Sequence, residues 1–575
     1  MNLMRLASLL LLSSLLAAEP AGRVFLISLD GMGFQAFSED PAASELRTMK
    51  RLAEEGISAP MQAAFPSLTA PGHASLWTGV YGNQNGITAN SVPIAFGQRA
   101  NGFRAEQLRA DTFWVKAGQQ GIRAVAHNPT QGFPCNAHNS GPNVTLVNGY
   151  QTPELSPRRL LRGADVEWLP APPVGFAAPR GSRQPVKYFR YTSGQLQFAG
   201  AVFAKGPGYD TIRLSAQAAR RYVDATAKEA EALPPRHNNT TRPLARHFSE
   251  GLPIAGRTAV HFRLFELSAD GADFLLFQSE AKEISVCHNG PTQATRFQQR
   301  LLATAGGFVG NGAGDFYEQG RFGPLRTDGL AERRWLETLE LHARQTMRHS
   351  RALLDEFSPR LFVDYISTPD DMLHSWWGFF AQGDRFLEPY RRWGYQIIDW
   401  RIAQLRDLLR DPGHLIVVSD HGMTRADREL RLNTLLADLG YAGRVWGQDS
   451  FLRLKDRADH ALLREVRERL TAWRDDGRPV FLEWFTPSEA AARFGIGGDF
   501  GGDLYFDLAP GYYTSSASKS PIVETYPHPR GVHGPLPTRP DLLALFLAYG
   551  PNLHQRAASM RTVDVAPFVL NLLSD

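Results

Sequence analysis

The chain has 575 residues, 43% hydrophobic and 21% charged, which places it in the globular range and makes it too long for one ordinary domain. Its 62 basic and 58 acidic residues leave a formal net charge of +4, and no Lys/Arg block of the kind that marks a nucleic-acid arm occurs. A polymeric nucleic acid is therefore not an expected partner, and no run beyond residue 18 reaches the ~18 uninterrupted apolar residues of a membrane span, which argues against stable membrane insertion.

In chain order, residues 1–18 read as a secretory signal peptide: Arg5 supplies the positive region, Leu6 to Leu16 the apolar region, and cleavage falls near Ala18. Export to a periplasm or to the medium is the expectation. Val24 to Leu29 is a short apolar strand ending in Asp30-Gly31, and Leu46, Met49 and Leu52 then recur at helical spacing. In the segment Phe65 to Gly79, Pro71 suits a first helical position, which puts Thr69 at or just before a helix N-terminus. Further apolar runs at Ile122–Ala126, Leu361–Ile366, Leu415–Val418 and Leu542–Leu547 alternate with helices such as Trp335–Phe357, and a last helix at Pro567–Leu573 closes the sheet. Continuous apolar strands separated by helices predict an α/β fold, a mostly parallel sheet sandwiched by helices.

Two stretches interrupt that pattern. The core is expected in two parts, 19–139 and 336–575, separated by an inserted, partly β domain over 140–335 that contains the β-like runs Thr258–Leu267 and Phe274–Gln278. A smaller insertion at about 440–525 holds a charged helix at Leu462–Trp473 and the glycine-rich piece from Gly497 to Asp503, read as a loop because no strand precedes it and no helix follows. Cys135 and Cys287 are the only cysteines, and they pair if the fold brings them together.

Several of the chemistry-bearing residues lie where predicted core strands end, the place where open α/β sheets put ligand sites. Asp30 ends the first strand, and Asp420 and His421 end Leu415–Ser419. Asp370 follows Leu361–Ile366, His374 comes four residues later on the same helical face, and His533 precedes another apolar strand. Taken singly, each has an ordinary structural role as a cap, turn or core residue. Together they are the mixed carboxylate and imidazole set that zinc accepts, and six such groups suffice for two divalent ions, an arrangement suited to in-line phosphoryl displacement. Thr69 is the nucleophile candidate, because a metal ion and the positive helix end would both favour its alkoxide.

This set resembles the nucleotide pyrophosphatase/phosphodiesterase family of the alkaline phosphatase superfamily. The resemblance runs over about 19–135, 340–430 and 500 to the end. It is carried by Leu29-Asp30-Gly31, by Phe65 to Gly79, by Asn90 after Gly86-Ile-Thr, by Pro369-Asp370 to His374, by Ser419-Asp420-His421-Gly422 and by His533-Gly534. It implies one zinc ion on Asp370, His374 and His533, and a second on Asp30, Asp420, His421 and the Thr69 oxygen. It also implies a covalent phospho-threonine intermediate, with Asn90 donating a hydrogen bond to a phosphoryl oxygen. The expected activity is that of an exported two-metal phosphodiesterase acting on a small phosphate ester.

Two departures bear on the substrate. Ala70 stands where nucleotide-cleaving relatives carry an aromatic residue that stacks on the base, and Gly72 replaces a common asparagine. An aromatic from the first insertion, Tyr188, Phe189 or Tyr191, is the candidate replacement for the missing ring. The rival reading on the same core is a phosphate monoesterase, with Arg158 or Arg159 gripping the additional charge, and a non-catalytic binding protein is the reading from another class. Oligomeric state is open.

Overall fold

The computed structural model describes residues 22–216, 221–232, 247–288, 290–312, 316, 324–409, 412–553 and 559–574. The expected signal peptide lies outside the described residues. Arg23–Leu29 forms the middle strand of a nine-stranded sheet and is paired in parallel with Leu361–Ile366 on one side and Gly413–Val418 on the other. Ala124–His127 and Val144–Asn148 extend the parallel set beyond Leu361–Ile366. Antiparallel strands, Ser285–Cys287 and Ala544–Tyr549, flank it on either side.

The reason these strands read as unbroken apolar runs is visible in the first of them. Phe25, Ile27 and Leu29 face a core shared with the helices Leu330–Phe357, Thr368–Phe380 and Glu388–Leu409, whereas Val24 and Leu26 face a second core with Trp77, Trp114 and Leu573. A strand buried on both faces has no solvent side on which to place polar residues. The last helix, Val565–Ser574, packs on the second face beside Thr69–Thr78.

Of the stretch read as the first insertion, Val144–Asn148 and Ser285–Cys287 belong to the large sheet. Between them lie a five-stranded antiparallel meander from Glu167–Leu169 to Val223–Thr226, and a three-stranded sheet of Arg159–Leu161, Phe262–Leu267 and Phe274–Gln278. These close over a core of their own that includes Phe189, Tyr191, Phe198 and Phe274. Cys135 and Cys287 are joined as a disulfide. In the second insertion the strands Val445–Gln448, Phe451–Leu454, Phe481–Phe485 and Leu504–Leu508 form one sheet, with the helix His460–Ala472 packed on it. Phe485, Phe494 and Tyr505 of this insertion surround Phe65, so it packs against the loop that leads into Thr69.

Candidate active site

Five of the expected ligands follow the central parallel strands, and His533 and Thr69 come to them from elsewhere in the fold. Asp30 follows Arg23–Leu29, Asp420 and His421 follow Gly413–Val418, and Asp370 and His374 share the helix Thr368–Phe380 that follows Leu361–Ile366. His533 leaves the long strand Val523–Val532. Thr69 is the first residue of the helix Thr69–Thr78, with Leu68 at the N-cap, so the helix begins two residues ahead of Pro71. Proline is tolerated throughout the first turn, since its missing N–H would have no helical partner there, and this explains why its position in the sequence did not mark the start.

The side chains of the expected ligands converge in one place. Nε2 of His374 lies 3.3 Å from Asp370 Oδ2 and 3.1 Å from Nε2 of His533. Nε2 of His421 lies 3.1 Å from Asp420 Oδ2, 3.6 Å from Asp30 Oδ1 and 3.2 Å from the Thr69 hydroxyl, which is itself 3.4 Å from Asp30 Oδ1. The rings of His421 and His533 stack at 3.8 Å and join the groups into one cluster. All of these residues are buried except His374, whose side chain is 40% exposed, and Asp370, which is partly exposed; these two mark the mouth.

The residues fit two divalent cations. Each of the three imidazoles is turned the same way: Nδ1–H donates to a backbone carbonyl, His374 to Gly531 at 2.7 Å, His533 to Ser67 at 2.9 Å and His421 to Gly422 at 3.0 Å. That leaves every Nε2 lone pair aimed at the carboxylates, the orientation that metal-ligating histidines adopt. Oδ1 of Asp370 and Oδ2 of Asp420 face imidazole nitrogens alone, and among the described residues no Lys or Arg is paired with Asp30, Asp370 or Asp420. Three carboxylates withdrawn from water without a cationic side chain are costly unless a cation joins them. The protonation equilibria express the same tension. Burial, then Asp420 and Asp370, push the Asp30 carboxyl well above its ordinary range, while burial and His421 press His533 down to about 3.

The sequence did not single out the residues that hold this cluster in place. His73, four residues after Thr69 on the same helix face, sets Nδ1 between Thr69 O at 3.0 Å and Asp420 Oδ2 at 3.1 Å. Both neighbours are acceptors, so that nitrogen carries the proton. Nε2 accepts from Ser28 Oγ, 2.8 Å away. His73 forms a tight group with Asp30 and Asp420, as His421 does with Asp370 and His533. Its protonated Nδ1 makes it an orienting residue for Asp420, leaving His421 as the nitrogen donor on that side. The i, i+4 spacing from Thr69 was the available signal. Tyr365, which donates its hydroxyl to Asp30 Oδ2, lies inside an apolar strand and carried no signal at all.

Two glycines explain how the backbones come so close. A Cβ on Gly31, whose φ is 67°, would lie 2.7 Å from Asp370 Oδ1, and one on Gly72 would lie 2.9 Å from Asp420 Cβ. The departure at Gly72 thus lets the nucleophile helix press onto the Asp420 turn. Asn90 Oδ1 accepts the Ala70 N–H at 2.8 Å, which fixes the amide so that its NH2 is the free, donating end. Ala70 is fully buried against Ile87, Val92 and Leu108, and Gly102 approaches its side chain, so a ring at this position has no room. The aromatic candidates of the first insertion do not replace it: Phe189 and Tyr191 are buried in that domain's own core, and Tyr191 donates to Gln278. Tyr188 packs edge-on against Phe176. Of the two arginines, Arg158 donates to the Gly312 carbonyl at 2.8 Å.

The family model for type I phosphodiesterase/nucleotide pyrophosphatase matches residues 24–171 and 294–536, more than half of the chain. The chain belongs to that family. It is thereby a metal-dependent hydrolase of phosphoric esters, of phosphodiesterase type, on an alkaline phosphatase-like α/β core. The unmatched segment between the two blocks holds most of the first insertion. Among solved structures, phosphonoacetate hydrolase from Sinorhizobium meliloti 1021, in complex with phosphonoformate, is similar at 14% identity and a TM-score of 0.50, with 96% of each chain covered. Murine ectonucleotide pyrophosphatase/phosphodiesterase 5 is similar at 14% identity and a TM-score of 0.47, with 96% of this chain and 95% of that one covered. No curated protein sequence matches. Among the described residues no helix is long and apolar enough to cross a membrane.

Proposed function

We propose that the chain is an exported phosphodiesterase that acts through a phosphorylated Thr69. The observation that carries this reading is the convergence of three imidazole Nε2 atoms and three carboxylates in one cluster, with His421 and Asp30 against the Thr69 hydroxyl. Two divalent ions, zinc by the mixed oxygen and nitrogen donor set, would be held by Asp370, His374 and His533 and by Asp30, Asp420, His421 and Thr69, and would supply Lewis-acid stabilisation of phosphoryl charge. The protein's own parts do the rest. Thr69 Oγ1, at a helix N-terminus where partial positive charge favours an anion, attacks phosphorus; the new P–O bond forms as the bond to one ester oxygen breaks, and that alcohol leaves. Asn90 presents its NH2 to a non-bridging oxygen, since its carbonyl is committed to Ala70 N–H. Water then attacks the phosphothreonine and regenerates Thr69. His73 and Tyr365 hold Asp420 and Asp30 in register throughout.

Export is supported by the signal-like pattern of residues 1–18 and by the Cys135–Cys287 disulfide, which fits an oxidising compartment. The deciding experiment compares turnover of a bis-aryl phosphate diester with the matching monoester by zinc-replete protein, with Thr69→Ala as the blank. The expected result is a diester preference and a loss of at least about 10³-fold in the variant, which keeps its metal. Full activity in Thr69→Ala would overturn the mechanism, and a monoester preference would overturn the substrate class.

A further inference from the structure

The loop that leaves the carboxyl end of the parallel strand Ala124–His127 reaches the helix Thr69–Thr78 through Thr130 and Gln131. Gln131 is fully buried and sits at a φ of 53°, in the left-handed region that residues other than glycine seldom occupy. Its N–H donates to the Phe103 carbonyl at 2.7 Å and its own carbonyl accepts from Asn139 Nδ2 at 2.9 Å, so the backbone is pinned from both sides. Backbone held in such a state clusters at functional sites.

The hydrogen-bonding inventory fixes which way the Gln131 amide points. The indole N–H of Trp77 can only donate and lies 3.0 Å from Thr130 Oγ1, which leaves the threonine proton for Gln131 Oε1 at 2.8 Å. Nε2 then faces two acceptors, Gly102 O at 2.6 Å and, at the longer distance of 3.4 Å, Ala70 O. Both of those residues also hold Asn90. The Ala70 N–H donates to Asn90 Oδ1 at 2.8 Å, and the Gly102 N–H donates to Asn90 O at 2.9 Å. Gly102 is so close that a Cβ on it would lie 2.3 Å from Ala89 O and 3.2 Å from the Ala70 side chain. Gln131 thus ties the peptide that follows the nucleophile to the turn that holds the Asn90 backbone.

The bond from Ala70 fixes one atom of the Asn90 side chain, and the anchor through Gly102 fixes its main chain. A donor meant for a phosphoryl oxygen needs both, because a misplacement of about 1 Å can cost about 10²-fold in rate. We infer that Gln131 is a positioning residue for phosphoryl transfer: it sets the distance between Asn90 and Thr69 and acts through Asn90. The inference rests on the role proposed above for Asn90.

The test compares four full-length, zinc-replete proteins, the wild type, Asn90→Ala, Gln131→Met and the double variant, in turnover of bis(p-nitrophenyl) phosphate. Methionine is unbranched at Cβ like glutamine, so it asks the same of the backbone and lacks only the donor. Gln131→Met alone is expected to lower kcat by about tenfold or more, with KM and bound zinc within about twofold of the wild type. On top of Asn90→Ala it should change kcat by less than about twofold, since the group it positions is gone. A purely structural residue would lower kcat by the same factor in both backgrounds. That outcome, or an unchanged kcat in the single variant, overturns the proposal. If Gln131→Met does not fold, Gln131→Asn, which suits the left-handed backbone and leaves the amide one methylene short, is judged by the same criteria. Failure of both to fold makes Gln131 a structural residue and overturns the proposal as well. If the wild type does not turn the diester over, the phosphodiesterase reading fails, and calorimetry with inorganic phosphate decides Gln131 separately. A loss of affinity confined to the proteins that retain Asn90 supports positioning, whereas an equal loss in both backgrounds, or no binding to the wild type, overturns it.

Discussion

Two buried clusters of aspartate and histidine lie within one strand of each other in this molecule, and they are wired in opposite ways. Around Asp364, Arg401 donates through Nη2 to both carboxylate oxygens at 2.9 and 2.7 Å, His127 adds a contact at 2.9 Å and Ser350 donates at 3.1 Å. One residue further along the same strand, Tyr365 faces Asp30, and there the carboxylates face imidazole nitrogens and no guanidinium. Asp364, Asp30 and Asp420 are all buried. What separates a structural cluster from a catalytic one is whether the protein itself completes the charge balance.

The contrast is broken most severely at Asp420. Asp420→Asn is expected to remove activity and bound metal together, measured by turnover and elemental analysis. In chelator the same variant should lose less stability than Asp364→Asn, because only the His73 and His421 imidazoles and the Gly31 N–H lie against Asp420 and no guanidinium is left behind. Asp364→Asn should behave in the opposite sense, losing about 3–5 kcal/mol of stability by leaving the Arg401 guanidinium buried alone, with metal stoichiometry intact in the fraction that folds. Equal destabilisation of the apo protein by the two substitutions would refute the distinction.

A smaller effect belongs to Tyr365→Phe, which removes the donor that orients Asp30. Metal affinity is expected to fall by about 10–100-fold, as for other groups that position ligands, with the melting temperature in chelator little changed. Competition with a chromophoric chelator measures it, and unchanged affinity would make Tyr365 a packing residue only.

The mildest consequence is a pH dependence. Burial alone would raise the Asp364 carboxyl, but Arg401 and His127 outweigh it and hold it below its ordinary range. Its contribution to stability is therefore complete above the unfolded value of ~4 and is lost as pH falls through the folded one. A melting series in chelator should show that acid loss in the wild type and a flatter profile in Asp364→Asn.

The chain by itself determined the alternation of strand and helix, because strands covered on both faces must be apolar throughout, and it singled out Asp30, Asp370, His374, Asp420 and His421 as candidate ligands, because they follow those strands. Periodicity of this kind is local, so it survives in a linear string. The sequence could not tell Asp30 from Asp364, two aspartates in or just after apolar strands. The difference lies in Arg401, 37 residues from Asp364 in the chain and in contact only through the fold. Nor could it show that Ala70 faces a packed wall, that Phe189 and Tyr191 belong to the insertion's own core, or that Gln131 comes to lie between Gly102 and Ala70. Those facts depend on which side chains meet across long sequence separations. Desolvation and charge pairing act through space, and only the tertiary structure decides them.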